Sequence, residues 1–386
     1  MKRILPSTLA FLVVAFIIFS PRPNNVYSEK NGLQLEFKDD TIHKLSLLFV
    51  GDVMQHGPQI NAAYNSATGK YDYTDCFKYV QPIISNANLA IVNFETTLAG
   101  LPYAGYPAFS APDEIALGLK NAGFDLLITA NNHCLDRTRK GLEQTIKKLN
   151  NFGIQHTGTF LNDTMREQNY PFIMVKDGFK LAFLNYTYAT NGIEVQSPNV
   201  VNYIDKAQII KDLAKAKSMN PDFVIMTMHW GVEYQREQNM EQEDLAKFCF
   251  ANGADVVVGM HPHVIQPIET VSYVYQNSDK KGIVCYSLGN YVSNQRARYK
   301  DGGIMVKLEL TKNTKQNITK LTDYSYIPVW VYKQELPKDT NYYVLPTARY
   351  QEFVNAFSMS AKDKSDFNQF ISDTHEMMKG VKEEKE

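Results

Sequence analysis

Apolar and polar positions fall in alternating blocks along this chain. Mostly apolar runs recur at Lys44–Val50, Leu89–Val92, Leu126–Thr129, Phe172–Val175, Leu181–Tyr186, Phe223–Met228, Val256–Gly259, Ile283–Tyr286 and Ile304–Leu310. Runs this short, bounded by polar or glycine-containing stretches, predict buried strands. Between them, apolar residues return at helical spacing over Tyr73–Ser85, Pro112–Asn121, residues 138–150, Ile204–Lys217 and Glu241–Ala251. Gly123, Gly153 and Gly253 follow three of these segments, where a helix is expected to stop. Strand and helix alternate through residues 44–310, which predicts an α/β layered domain. The runs flanking Asp177-Gly178 and those within Val264–Leu310 predict some antiparallel pairing. Residues 311–345 read as further strands, residues 347–379 as a helical tail, and the charged end Lys379–Glu386 as frayed.

The chain's start adds a location. Lys2-Arg3 precede an apolar segment whose core, Leu9–Phe19, is shorter than the roughly 20 residues of a membrane span. Residues 1–20 therefore read as a signal peptide or as an uncleaved N-terminal anchor, with 21–42 a polar linker. Either reading places the folded part outside the cytoplasm, secreted or anchored in a cell envelope. The folded part divides into a main domain, 43–310, and a C-terminal extension packing on it, 311–386. Of 386 residues, 44% are hydrophobic, as a folded globular chain requires, and the formal charge of −1 leaves no field that would favour nucleic acid. The four cysteines are far apart and form no C-x-x-C pattern, so they read as buried thiols.

Candidate chemistry sits where the apolar runs end. Val256–Gly259 leads into His261-Pro262-His263, two imidazoles two positions apart. Other runs end at Gly51-Asp52, Asn93-Phe94-Glu95, Asn131-Asn132-His133 and His229-Trp230-Gly231. A single strand-end Asp or His is usually a turn or core residue. Gathered, Asp52, Glu95, Asn132, His133, His229, His261 and His263 form a mixed oxygen and nitrogen set suited to manganese, iron or zinc. Such a set holds one or two divalent ions, and two ions can activate water for displacement at phosphorus. Trp230, Glu233, Asn290 and Arg296 are candidates for shaping or lining a substrate cleft, or for packing and solvated loop roles.

Six motifs occur in order: Gly-Asp-Val-Met at 51–54, Asn-Phe-Glu at 93–95, Ala-Asn-Asn-His-Cys-Leu-Asp at 130–136, His-Trp-Gly-Val-Glu-Tyr at 229–234, Gly-Met-His-Pro-His-Val-Ile-Gln at 259–266 and Ser-Leu-Gly-Asn-Tyr at 287–291. Together they resemble the bacterial capsule synthesis protein CapA family, also called poly-gamma-glutamate biosynthesis proteins. That family is similar in fold to the calcineurin-like metallophosphoesterases, a four-layer α/β/β/α sandwich. The resemblance implies Asp52 and His263 on a first metal, Glu95 bridging, and Asn132, His229 and His261 on a second. It implies His133 as proton donor to a leaving group, oriented by Asp136, with Asn93 in the substrate-binding set. It also implies a role in making, exporting or anchoring a capsule polymer, with an anionic polymer or its membrane synthase as partner. Three positions depart from the phosphoesterase pattern. Met54 replaces a histidine, and a thioether is a poor ligand for a hard ion. Glu95 replaces an aspartate, and the acid after Asn132-His133 is delayed to Asp136. A metal-assisted hydrolase and a non-catalytic accessory protein that binds polymer or synthase are both compatible with this pattern.

Overall fold

A computed structural model describes residues 41–336 and 339–385; the signal or anchor reading of 1–20 and nearly all of the expected linker lie outside them. Two sheets carry the architecture. The first runs, in spatial order, β14 (Asp339–Pro346), β13 (Ile318–Leu336), β12 (Gly302–Asn313), β1 (Ile42–Val53), β2 (Leu89–Phe94), β3 (Leu126–Ile128) and β4 (Gln155–Thr157), with β11 (Asn290–Val292) also beside β1. The second runs β9 (Ile268–Tyr275), β10 (Ser278–Cys285), β8 (Val256–Met260), β7 (Phe223–His229), β6 (Phe179–Thr187) and β5 (Phe172–Lys176).

Side-chain alternation explains the layers. Along β1, Leu45, Leu47 and Phe49 join one core cluster with Phe179, Leu181, Phe183, Ile225, Val256 and Val258 of the second sheet. The intervening Leu48 and Val50 join a different cluster, with Ile115, Ala116 and Leu119 of helix α1 (Glu114–Ala122). Successive strand residues point to opposite faces, so β1 packs a sheet on one side and a helix on the other. The second sheet repeats this. Its other face, with Ala182, Val224 and Val257, packs on Ile209 and Leu213 of α3 (Lys206–Ser218) and Leu245 and Ala246 of α4 (Met240–Ala251). The result is the expected α/β/β/α sandwich, and central strands covered on both faces explain the nearly continuous apolar runs.

Between β1, β2, β3 and β4, and between β6, β7, β8 and β10, pairing is parallel. Parallel strands place all their carboxyl ends at one edge, where ligand sites of α/β sheets lie. The antiparallel expectations also hold: β5 pairs β6 across Asp177-Gly178, and β9 pairs β10. The helix expected over Tyr73–Ser85 is two short helices, Thr74–Phe77 and Gln81–Asn86, with Pro82 near the start of the second. Helix α2 (Thr138–Asn151) falls where expected.

The C-terminal segment continues the first sheet. β13 pairs antiparallel with β12 over most of its length, and β14 adds the edge. Phe367 of α5 (Ala361–Met377) stacks on Trp330, with ring centroids 4.6 Å apart. The expected fraying of Lys379–Glu386 is corrected for its described part. Tyr326 N donates to Lys382 O and Glu384 N to Tyr326 O, both at 2.9 Å, and Glu384 pairs with Lys307. An edge-like backbone and a lysine partner outweigh the terminal charge. Among the described residues no helix is long and apolar enough to cross a membrane. All four cysteines are buried and unpaired, as expected.

Candidate functional site

The carboxyl ends of both sheets meet in one polar cluster. From the first sheet come Asp52 at the end of β1, Glu95 just past β2, and Asn131, Asn132 and His133 past β3; from the second come His229 ending β7 and His261 and His263 past β8. Asp52 and Glu95 have no exposed surface, and His229, His261 and His263 almost none. His263 Nδ1 lies 2.9 Å from Asp52 Oδ2, and its Nε2 lies 3.8 Å from Glu95 Oε1. His229 Nε2 lies 3.6 Å from Glu95 Oε1 and 2.8 Å from Asn132 Oδ1. These contacts join strands from opposite sheets.

The backbone bends to achieve this. His261 and His263 both have positive φ, 102° and 59°. Side chains with a Cβ adopt that region rarely, so the surrounding fold must hold them there. Gln266 does part of the holding: its Nε2 donates to Gln235 O at 2.8 Å, and its Oε1 accepts from Gln242. Tyr234 N also donates to Pro262 O at 2.8 Å. The loop after β7 is thereby strapped to the loop after β8.

Burial and the neighbouring Asp52 push the Glu95 carboxyl well above the usual range. Burial and the neighbouring histidines push His229 far below the usual imidazole value, and burial, with His263, takes His261 to about 3. His229 and His261 thus stay neutral and cannot compensate the carboxylates. Buried ionised groups without a counter-charge are costly. Two atoms in the cluster, Glu95 Oε1 and His261 Nδ1, are buried without a hydrogen-bond partner among the described residues. Ligand atoms of Asp52, Glu95 and His229 lie within 4.8 Å of one another, as do those of Glu95, His261 and His263. Orphaned acceptors, neutral imidazoles and an unbalanced carboxylate pair fit a divalent cation. Glu95 belongs to both groups, as a bridging residue would. The groups divide differently from the family-based expectation, since Asp52 falls with His229, and His263 with His261.

His133 stands beside the cluster. Its Nδ1 lies 2.7 Å from Asp136 Oδ2, which also accepts from Phe109 N at 2.8 Å. Its backbone N donates to Asn131 Oδ1, and Asn131 Nδ2 donates to Phe94 O. The loop after β3 is therefore anchored to the loop after β2.

The expected substrate residues separate. Asn93 is buried beneath the cluster, where its Nδ2 donates to Asp52 Oδ1 at 2.7 Å and lies 3.3 Å from His229 Nδ1. Its place is to orient ligands rather than to meet substrate. Glu233 is exposed, beside Tyr234 in the loop after β7. Trp230 is corrected. It is buried against Tyr286, and its Nε1 donates to Tyr286 O at 2.9 Å, because the indole completes the outer face of the second sheet. Asn290 takes the loop role of its two alternatives. It is fully buried across from Asp52, and its Nδ2 closes the following loop on Gln295 Oε1 and Lys300 O. Arg296 is turned away: its Nη1 donates to Val331 O at 2.7 Å, and its guanidinium lies over Trp330. Trp230 also constrains Gly259, where a Cβ would stand 2.3 Å from Nε1 and 2.0 Å from Tyr286 O. Gly259→Ala is expected to cost about 2–3 kcal/mol by overpacking, read as a lower urea midpoint. An unchanged midpoint would mean room that the packing denies.

Several residues at the site escaped the sequence reading. Tyr188, one residue past β6, lies 4.5 Å from the His261 ring and stacks on His229. Tyr234, the last residue of the motif at 229–234 and so within that reading, lies 6.1 Å from His263. Asn191 accepts from Asn132 Nδ2. His56 lies edge-on to Phe109 at 5.3 Å, and Phe109 lies edge-on to His133 at 4.6 Å. The strand-end rule that found His229 applies equally to Tyr188, since Leu181–Tyr186 is one of the apolar runs.

A layered α/β fold with a carboxylate and histidine centre at its strand ends defines the class. Within it, the family profile of "Bacterial capsule synthesis protein PGA_cap" matches residues 46–295, and the chain belongs to that family. It is 29% identical over 326 residues to "Capsule biosynthesis protein CapA" of Bacillus anthracis, covering 77% of this chain and 74% of that protein. It is 29% identical over 331 residues to "PGA biosynthesis protein CapA" of Bacillus subtilis, covering 79% and 80%. Among solved structures, the NAD nucleotidase of Haemophilus influenzae superposes with a TM-score of 0.49 at 13% identity, covering 89% of this chain and 64% of that one.

Proposed function

We propose that this protein is an extracytoplasmic, metal-dependent hydrolase that acts in the assembly, export or anchoring of a capsule polymer such as poly-gamma-glutamate. Glu95 carries the reading, because it is shared by two groups of potential ligands and is left with an orphaned buried oxygen. Asp52, Glu95, His229, His261 and His263, with the Asn132 carbonyl, would hold one or two ions of manganese, iron or zinc. When bound, such ions supply Lewis acidity and lower the pKa of water. The chain's own groups then have separate tasks. Asn93 fixes Asp52, Asn191 fixes Asn132, and Asp136 holds His133 where it can give a proton to the leaving oxygen. The bond broken is a phosphoester, or an amide in the polymer. The segment 1–20, cleaved or retained, would deliver the fold to the envelope, where an anionic polymer or its membrane synthase is the partner.

Met54 favours a second reading, in which the same fold binds polymer or synthase without turnover. Elemental analysis of the metal-loaded chain beside a His229→Ala, His261→Ala double variant decides first. Mn, Fe or Zn at one to two per chain, lost in the variant, is the expected result. No metal in either protein after loading with each ion would sink the hydrolase reading and leave the accessory role.

A further inference from the structure

In the loops after β7 and β11, one cation has neither an ion pair nor a side-chain hydrogen bond among the described residues. Arg298 pairs with Asp373, Arg236 donates to the Asp373 carbonyl, and Arg296 donates to that of Val331. Lys300 has no such partner. We propose that Lys300 is a specificity-determining residue: it holds a second anionic group, carboxylate or phosphate, of a substrate whose scissile bond lies over the histidine cluster. This assignment rests on the hydrolase reading above and adds a charge requirement to it.

Its position follows from the strands. β11 runs parallel to β1, with Asn290 across from Asp52, so the loop after β11 leaves the same edge as the candidate ligands. Asn290 Nδ2 donates to Lys300 O at 2.8 Å, which ties the lysine's backbone to the strand beside Asp52. From the second sheet comes Tyr234, whose amide donates to Pro262 O, between His261 and His263. Lys300 Nζ lies 3.9 Å from the centre of the Tyr234 ring, and that centre lies 6.1 Å from the centre of the His263 ring, so the ammonium is within 10 Å of a candidate ligand whichever face of Tyr234 it covers.

An aromatic face attracts an ammonium without neutralising it, so Lys300 is held in place with its charge intact. Tyr234 is 46% exposed and Lys300 half-buried, which keeps that charge open to solvent. Glu233, exposed next to Tyr234, makes no ion pair with it. A lysine's flexible stem also lets Nζ follow an arriving anion. A cation at this reach discriminates by charge: it favours a substrate with a second anionic group and adds nothing for one without.

The test uses the zinc-loaded chain and three alkyl phosphates. Butyl phosphate has no second anion, phosphooxybutanoate adds a carboxylate at the far end, and butanediol bisphosphate adds a phosphate. By calorimetry at low salt, the parent is expected to bind at least one of the latter two about three- to fivefold more tightly than butyl phosphate, after allowing for the two equal ends of the bisphosphate. The compound favoured names the anionic group. Added salt is expected to erode the preference. Lys300→Gln is expected to lose it and Lys300→Arg to keep it, with butyl phosphate affinity and zinc content equal in all three proteins. No preference in the parent, or one that survives in Lys300→Gln, overturns the assignment and leaves the metal reading standing. Equal weakening of all three compounds in Lys300→Gln overturns it as well, since the lysine would then only support Tyr234. So does a zinc-loaded parent that binds none of them. A parent that takes up no zinc overturns the hydrolase reading, and this assignment with it. Should Lys300→Gln fail to fold, the parent's preference, its salt dependence and its retention in Lys300→Arg still decide.

Discussion

Glu95→Gln is expected to leave the chain folded, without metal and without turnover, yet more stable than the metal-free parent above neutral pH. The loss follows from position. Glu95 is the shared member of both ligand groups, and an amide is a weaker ligand that cannot bridge. Outer partners of metal ligands cost about 10–100-fold in affinity when removed, and a shared inner ligand is expected to cost more. The gain in stability follows from the unbalanced charge. Glu95 is fully buried beside Asp52, and its raised pKa means that ionising it works against the fold. The variant keeps the shape and removes that charge.

The pH dependence of the metal-free parent carries the same signature. His229 and His261 have folded pKa values below the ordinary imidazole value of 6.5, His261 at about 3. Between those values the unfolded chain binds more protons, so stability rises with pH and the gain is complete near 6.5. His56 and His156, both lowered by burial to about 4, act with the same sign. Glu95 acts oppositely. Its folded pKa lies well above the ordinary carboxyl value of 4.5, so the folded state keeps its proton longer. Stability from this group is complete at low pH and is lost as pH rises through the folded pKa. Asp125, Asp255 and Asp301, also raised by burial, act with the sign of Glu95; above about 6.5 the histidine gain is complete, while the raised carboxyls and the buried thiols, raised in the same way, act against the fold. Metal-free parent protein is therefore expected to be most stable near pH 6.5 and to weaken on the alkaline side. Urea midpoints across pH 4–9 check this. The decline should be smaller in Glu95→Gln and on saturation with metal, the remainder belonging to the buried thiols. An unchanged decline in the variant would assign all of it to other groups.

The candidate ligands were readable in the sequence because each ends a short apolar run. A run buried on both faces has few polar residues, so those at its end stand out. Parallel pairing then brings the ends together. What the runs do not encode is the direction of each side chain after the strand stops. Trp230 and Glu233 follow the same strand by one and four positions, yet one enters the core and the other faces solvent. Arg296 looked free because its partner, the carbonyl of Val331, lies 35 residues away. His56 carried no strand-end signal, since it lies three residues past the end of β1. The ordered tail was hidden for a similar reason: its pairing with Tyr326 depends on register in a strand nearly sixty residues earlier.

His133→Ala is expected to lower turnover by about 10²–10⁴-fold with metal content unchanged, the range for a lost general acid. The geometry makes the two readouts separable. His133 lies beside the cluster but outside both ligand groups, and its Nδ1 is committed to Asp136 at 2.7 Å. Its other nitrogen is therefore the one available to a leaving oxygen. An acid matters most when the leaving group is a poor one. The loss should be small for a 4-nitrophenyl phosphoester, whose phenolate departs unaided, and large for an alkyl ester of the same phosphate. Asp136→Asn should show the same leaving-group dependence at about a tenth of the size. The amide can still accept from Phe109 N but no longer supports the charge of the imidazolium formed in proton transfer. Equal losses for both esters would remove His133 from the acid role. Loss of metal along with turnover would make it a support of the centre instead. A parent that holds metal yet cleaves neither ester nor a poly-gamma-glutamate chain would mean that the same residues serve binding, and would leave Met54 as the position to restore, by Met54→His, in asking whether turnover can be recovered.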